Sequence, residues 1–260
     1  MELCSTGQVK HYSRQCIGKS QGRLRLQADD FQMPPHRQAV TVIRHQNDTL
    51  SYMTSSNKLN RFTTLPFLIE LLKTKKLVLL NPKTWEDHND TDILLDYKEK
   101  ENIPGLLALC FTDQSETIHH WKAFSSGESG CCIEFDKTRL LDHLSKDKRI
   151  EHKKVNYPTI INSSTVKRHD IPFTKRLPYK CEEEYRIVMK HEKNVIFHAV
   201  DIELDFITKI TLSPNLPKLT FDTIENVLKT IMNGYDITIN HSSLFQNSEW
   251  IDGFRRRTTV

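Results

Sequence analysis

The sequence predicts an α+β fold, a mixed and mainly antiparallel sheet with flanking helices. Strand-length apolar runs outnumber the helices between them, which a strict βαβ alternation would not give. The chain also lacks the G-x-G-x-x-G and Walker glycine loops of parallel nucleotide-binding folds, and it has no internal repeat.

Residues 1–56 are polar, with two basic stretches, a Met-Pro-Pro turn at 33–35 and one β-like run, AVTVIR at 39–44. They read as an arm or small appended element, and residues 57–260 as a single α+β domain. PFLIELLKTKK (66–76) places Phe67, Leu68, Leu71 and Leu72 on one helical face, with Pro66 suited to the first turn. KLVLLN (76–81) follows as a buried strand. NPKTWEDHNDTD (81–92) reads as a polar acidic loop, and LLALCFT (106–112) as a second buried strand after the Pro104-Gly105 turn.

SETIHHWKAFSSGESG is expected to hold a short helix capped by Ser115 and ending in a Ser/Gly loop. The strand CCIEF (131–135) leads into the helix DKTRLLDHLSKD, then come a strand at 150–157 and a charged loop to about 177. A strand over KCEEEYRIVMK (180–190) follows, with further strands at 194–203, 207–213 and 236–240 and a helix at 220–232.

The length of 260 residues allows a substantial core, and 37% hydrophobic with 27% charged residues is ordinary for a soluble protein. No apolar run approaches the roughly 18 residues that span a bilayer. The first residues, MELCSTGQVKHYSRQC, lack the apolar stretch of a signal peptide. A cytoplasmic location and no membrane partner are expected. Cysteines at 4, 16, 110, 131, 132 and 181 form no C-x-x-C pair and have no zinc-finger spacing, so reduced thiols and no metal site are expected. A net charge of +4 permits contact with phosphate without marking a dedicated nucleic-acid binder.

Chemistry concentrates in KCEEEYRIVMK. On a strand, Glu182, Glu184, Arg186 and Val188 share one face, and Cys181, Glu183, Tyr185, Ile187 and Met189 the other. Two like charges about 7 Å apart repel, and in a partly buried site one carboxyl has a raised pKa unless an arginine or a ligand compensates. The plain alternative is an exposed sheet face with weak surface pairs. Trp121 reads as core and His119-His120 as helix surface. Asp87, Asp90 and Asp92 have the oxygen ligands for a divalent cation, although an acidic loop is usually only solvated.

Taken together, the motifs resemble a bacterial family known as domain of unknown function 2971. They are LNRF at 59–62, NPKTWED at 81–87, CFT at 110–112, Trp121 to Phe124 with Gly130 and CCIEF, VNY at 155–157, and Glu182-x-Glu184-x-Arg186. The match spans about residues 57–245. Glu86, His88 and Thr112 depart from that pattern, where the family has asparagine, proline and serine.

The order of an early arginine strand, a middle Ser/Thr strand and a late E-x-E strand is also similar to the layout of ADP-ribosyltransferases. This second resemblance implies an ADP-ribosyltransferase-like fold with NAD as substrate. Arg61 would grip the phosphates, Thr112 would support the nicotinamide pocket, Glu184 would be the catalytic carboxylate and Glu182 the acceptor-side carboxylate. Arg186 falls within the cofactor-binding set, holding the two glutamates in place. The function implied is a toxin or phage-defence effector that modifies a nucleic-acid or protein acceptor, with an antitoxin protein as a further partner. The alternative class is a non-enzymatic binding module that works through the basic arm. A metal-dependent nuclease using Asp87 and Asp90 ranks last, for want of compact ligand spacing.

Overall fold

The computed structural model describes residues 57–125 and 127–256. The arm at 1–56, with its 39–44 run, lies outside the described residues. In chain order the elements are β1 (Lys58–Thr64), α1 (Leu65–Thr74), β2 (Lys76–Leu80), α2 (His88–Lys100), β3 (Gly105–Thr112), α3 (Ile118–Phe124), β4 (Gly130–Asp136) and α4 (Lys137–Leu144). Then follow β5 (Ile150–Lys154), β6 (Glu184–His191), β7 (Phe197–Asp201), β8 (Ile207–Leu212), α5 (Lys218–Ile231), β9 (Thr238–His241) and α6 (Ser248–Arg255). Short 3-10 turns populate the long connection between β5 and β6.

The strands form one sheet in the order β5-β6-β3-β1-β4-β8-β9, antiparallel throughout except for the parallel pair β8–β9. The predicted α+β class with a mainly antiparallel sheet is what the chain adopts. Helices cover both faces. On one face, α1 buries Leu68, Leu71 and Leu72, α4 buries Leu140, Leu141 and Leu144, and α5 buries Phe221 and Leu228 against Leu59, Leu109, Ile133 and Ile187. Each fully buried leucine contributes about 1.5–3 kcal/mol. That stripe, rather than capping, holds α1, whose N-cap Thr64 makes no side-chain bond. On the other face, Leu94 and Tyr97 of α2 pack on Leu106, Ala108 and Val188.

The sheet divides at β3. One edge of β3 pairs with β6 along its whole length, from Gly105↔His191 to Thr112↔Glu184. The other edge is shared: β1 meets it at Asn60↔Thr112 and β2 at Leu80↔Ala108. Between these two points lie about 13 Å of strand at the usual rise per residue. There β1 and β2 diverge and leave a fork, with α1 joining the two arms.

Three sequence readings are corrected here, the first being the cap of α3, which is Thr117, accepting from the His120 amide, and not Ser115. The stretch 81–92 is not all loop, because helix α2 starts at His88, with the Asp87 side chain accepting from the Asn89 and Asp90 amides. The strand at 180–190 starts only at Glu184: Leu177–Glu182 is a 3-10 segment, and Glu183 sits in the left-handed region at φ 43°. The predicted face of Glu184, Arg186 and Val188 holds, whereas Glu182 reaches the same neighbourhood by a turn. The helix at 248–255 was not anticipated. Cys110, Cys131, Cys132 and Cys181 are all free thiols.

Candidate active site

A pocket with a cavity of about 190 Å³ opens at the fork. Its floor is β3 from Ala108 to Thr112, the stretch left between the two pairing points. Asn60, Arg61 and Phe62 of β1 border one side, Leu80 and Trp85 another, His120 and Phe124 of α3 a third, and Lys175, Glu182 and Glu184 complete the rim. Arg61, Thr112, Glu182 and Glu184, four residues singled out from sequence, thus border one cavity.

They do not arrive from one face. Cross-strand partners share a face, and Asn60↔Thr112↔Glu184 run along one side, whereas Arg61 is paired with Ile133 of the opposite, leucine-rich core. Arg61 reaches the pocket because the fork opens the sheet at that point, and it also borders a small hollow beneath α1. Its guanidinium has no carboxylate partner among the described residues. Burial lowers its pKa to about 10, against a small opposing effect of the Cys110 and Cys131 thiols.

The glutamates are buried, at 5% exposure for Glu182 and 3% for Glu184, which overturns the exposed-sheet alternative. Arg186 is 0% exposed and all five of its N–H groups are engaged. Nε donates to Glu184 Oε1 (2.6 Å) and Nη2 to Glu184 Oε2 (3.0 Å). Nη1 donates to Asp90 Oδ1 (2.9 Å) and to the Pro172 carbonyl (3.1 Å), while Nη2 also donates to Asp90 Oδ2 (2.6 Å). The guanidinium is thus fully engaged in holding the Glu184 and Asp90 carboxylates. The Trp85 ring lies 5.2 Å from its guanidinium carbon.

Lys175 adds a second cation. Its Nζ lies 2.7 Å from Glu182 Oε2, 3.7 Å from Glu184 Oε2 and 3.9 Å from Asp90 Oδ2. Burial opposes its charge, but Glu184 and Glu182 outweigh this and raise its pKa. Three carboxyls therefore face two cations, and one proton on a carboxyl would balance the cluster. The two glutamates are pushed apart accordingly. Burial raises Glu182 more than Lys175 lowers it, whereas for Glu184 the pull of Arg186 and Lys175 exceeds the effect of burial and holds its pKa down. Adjacent carboxyls with opposed shifts divide into an anion and a proton carrier.

Backbone contacts fix the turn that presents them. The Thr112 hydroxyl donates to the Glu183 carbonyl (3.1 Å) and accepts from the Gln114 amide (3.2 Å), so Thr112 supports the glutamate turn from the pocket floor. His120 Nε2 lies 3.1 Å from the Glu182 carbonyl and Nδ1 lies 3.1 Å from Thr117 Oγ1. Burial lowers the His120 pKa, so the neutral ring donates from Nε2. His120 is thus buried and not helix surface, and it stacks on Phe62 at 5.0 Å. The Glu184 amide donates to the Tyr157 hydroxyl (2.8 Å), and Lys154 draws the Glu183 carboxylate outward at 3.0 Å. Trp121 is core, as read.

Asp87 caps α2, Asp90 is held by Arg186 and Asp92 is exposed, so the acidic run does not converge. Among the described residues no three His, Cys, Asp or Glu side chains gather as metal ligands, and no helix is long and apolar enough to cross a membrane. Lys175, Trp85, Phe62 and Tyr157 were missed as site residues. VNY at 155–157 was the signal for Tyr157, while nothing distinguishes Lys175 from the lysines and arginines around it.

No family model matches the chain, and no curated protein matches it. Among solved structures it is similar to Thermus sp. 2.9 DarT in complex with ADP-ribosylated ssDNA, at a TM-score of 0.39 and 10% identity, over 73% of this chain and 95% of that chain. It is likewise similar to Thermus sp. 2.9 DarT in complex with carba-NAD+, at a TM-score of 0.38 and 8% identity, over 73% of this chain and 97% of that chain.

Proposed function

We propose that the fork pocket cleaves NAD and transfers ADP-ribose to a nucleic-acid or protein acceptor, as a toxin or phage-defence effector would. One observation carries the reading: an arginine with no carboxylate partner among the described residues and two glutamates with opposed pKa shifts, supplied by separate segments, border a single cavity. The cavity of about 190 Å³ is smaller than the ~300–1,000 Å³ of pockets that enclose a drug-sized ligand. It fits one ring-sized part of a dinucleotide, with the remainder outside the enclosed volume. Phe62, Trp85 and Phe124 give it flat apolar walls.

In this reading Arg61 supplies the fixed charge that a pyrophosphate requires. The substrate contributes its own leaving group: the bond from ribose C1′ to the nicotinamide nitrogen breaks, and the electron pair leaves with neutral nicotinamide. Glu184, held ionised by Arg186, stabilises the positive charge that develops on the ribose. Glu182, in its ionised form, takes the proton that the acceptor nucleophile loses on bonding to C1′, and its raised pKa makes it the stronger base of the two glutamates. Thr112 and His120 keep both carboxylates at the pocket. Incubation of the full chain with labelled NAD and cell extract should give label transfer or free nicotinamide, and Glu184→Ala should reduce both by at least ~100-fold. Absence of cleavage and transfer, or a Glu184→Ala variant equal to wild type, would refute the proposal.

A further inference from the structure

We infer that Asp90 is a positioning residue of the pocket, acting on Glu184 through the buried guanidinium of Arg186 although it does not itself border the cavity. The inference rests on the catalytic reading of Glu184 given above. Asp90 lies in the first turn of α2, where an aspartate ordinarily serves the helix's own amides. Here that duty falls to Asp87, and the Asp90 side chain instead turns inward to 3% exposure. Both of its oxygens accept from Arg186, across 96 residues of sequence.

Arg186 grips two carboxylates at once. A guanidinium is planar, so the Asp90 pair and the Pro172 carbonyl fix the plane and direction in which Nε and Nη2 meet Glu184. Without Asp90 the same fork retains Glu184 but is free to pivot about it, and a buried charge loses half of its compensation. The groups facing Glu184 are Arg186, Lys175, Asp90, Glu182, the Cys110 thiol and the Tyr157 hydroxyl. Asp90 both repels the Glu184 charge and, through both of its oxygens, orients the guanidinium that grips it, as Glu182 does more loosely through Lys175.

The test uses Asp90→Asn in the full chain and follows the Glu184 carboxyl by carbon-13 NMR across pH, with melting temperature alongside. The relay predicts a Glu184 pKa lower by roughly half to one unit in the variant, because Arg186 is then left to Glu184 without a competing anion. It also predicts, in wild type itself, a second inflection of the Glu184 resonance where Asp90 titrates, so that a variant that fails to fold leaves the question decidable. If Asp90 serves only to anchor α2, the melting temperature falls while the Glu184 titration stays in place and wild type shows a single inflection; either NMR result overturns the inference. In NAD cleavage the expected effect is a kcat lower by about 10–100-fold with KM within about 3-fold of wild type. Wild-type cleavage matched by the variant likewise overturns the inference. No cleavage by wild type refutes the NAD reading, and the carboxyl titration then decides the relay alone.

Discussion

Arg61 carries its charge in a half-buried place with no carboxylate to offset it among the described residues, an arrangement that costs stability and is kept where something else needs the charge. Arg61→Met keeps the length of the side chain and removes the charge. It should therefore raise stability by about 1 kcal/mol in denaturant melts while abolishing calorimetric binding of ADP-ribose. A loss of stability together with retained binding would show that the guanidinium is structural. The glutamates were legible as a pair because their density on one stretch is unusual for a buried run. Their partners were not, because Asp90 lies in a run of acids and Lys175 in a run of bases, where only folding selects one member.

Between Glu182 and β6 stands the turn at Glu183, the element on which both carboxylates depend. Its φ of 43° lies where side chains with a Cβ pay about 1–2 kcal/mol and glycine pays none. Glu183→Gly exchanges that strain for the exposed pair with Lys154 and should leave stability within about 1 kcal/mol and the pocket working. Glu183→Val adds β-branching and should destabilise by at least ~1 kcal/mol, with activity lost at the temperature where the turn opens. Guanidinium melts and NAD cleavage read both outcomes. Pure alternation had carried the strand back to residue 180, since a residue in the left-handed region leaves no mark in an apolar pattern when it is not glycine or asparagine. The helix α2 escaped for a related reason: residues 86–92 are polar, and only Leu94 and Tyr97 reveal a buried apolar face. By contrast α1, β3, β4, α4 and α5 were readable because each lays a complete apolar stripe or run against the sheet.

At the scale of the whole molecule, several buried carboxylates tie stability to pH. Glu184 and Glu134 both have lowered pKa values: burial opposes this, but Arg186 and Lys175 outweigh it in the first case, and Thr208, Lys209 and Lys58 in the second. A carboxyl with a folded value below its unfolded one stabilises the fold above the ordinary glutamate range, and that contribution is lost as pH falls through the folded value. Melting temperature should therefore begin to fall below about pH 6.5, where unfolding lets the buried His120 take up a proton, and fall more steeply below about pH 4.5, with the raised values of Glu182 and Asp90 acting against that fall. Glu134→Gln, across the sheet from Asn60 but not itself in the pocket lining, should make that fall shallower; an unchanged slope would place the acid sensitivity elsewhere. The overall α+β plan was legible from the count and order of apolar runs. The branching of the sheet was not, because strand order depends on pairings between distant segments that no local pattern encodes.

That branching has a consequence for how the pocket tolerates change. Its depth is set by where three backbones part company, from Ala108 to Thr112, and not by which side chains happen to be small. A hollow made in this way survives substitution of almost any residue that borders it. Changing the lining should therefore alter which molecule the pocket admits while the connection from β1 through α1 to β2 keeps the hollow open.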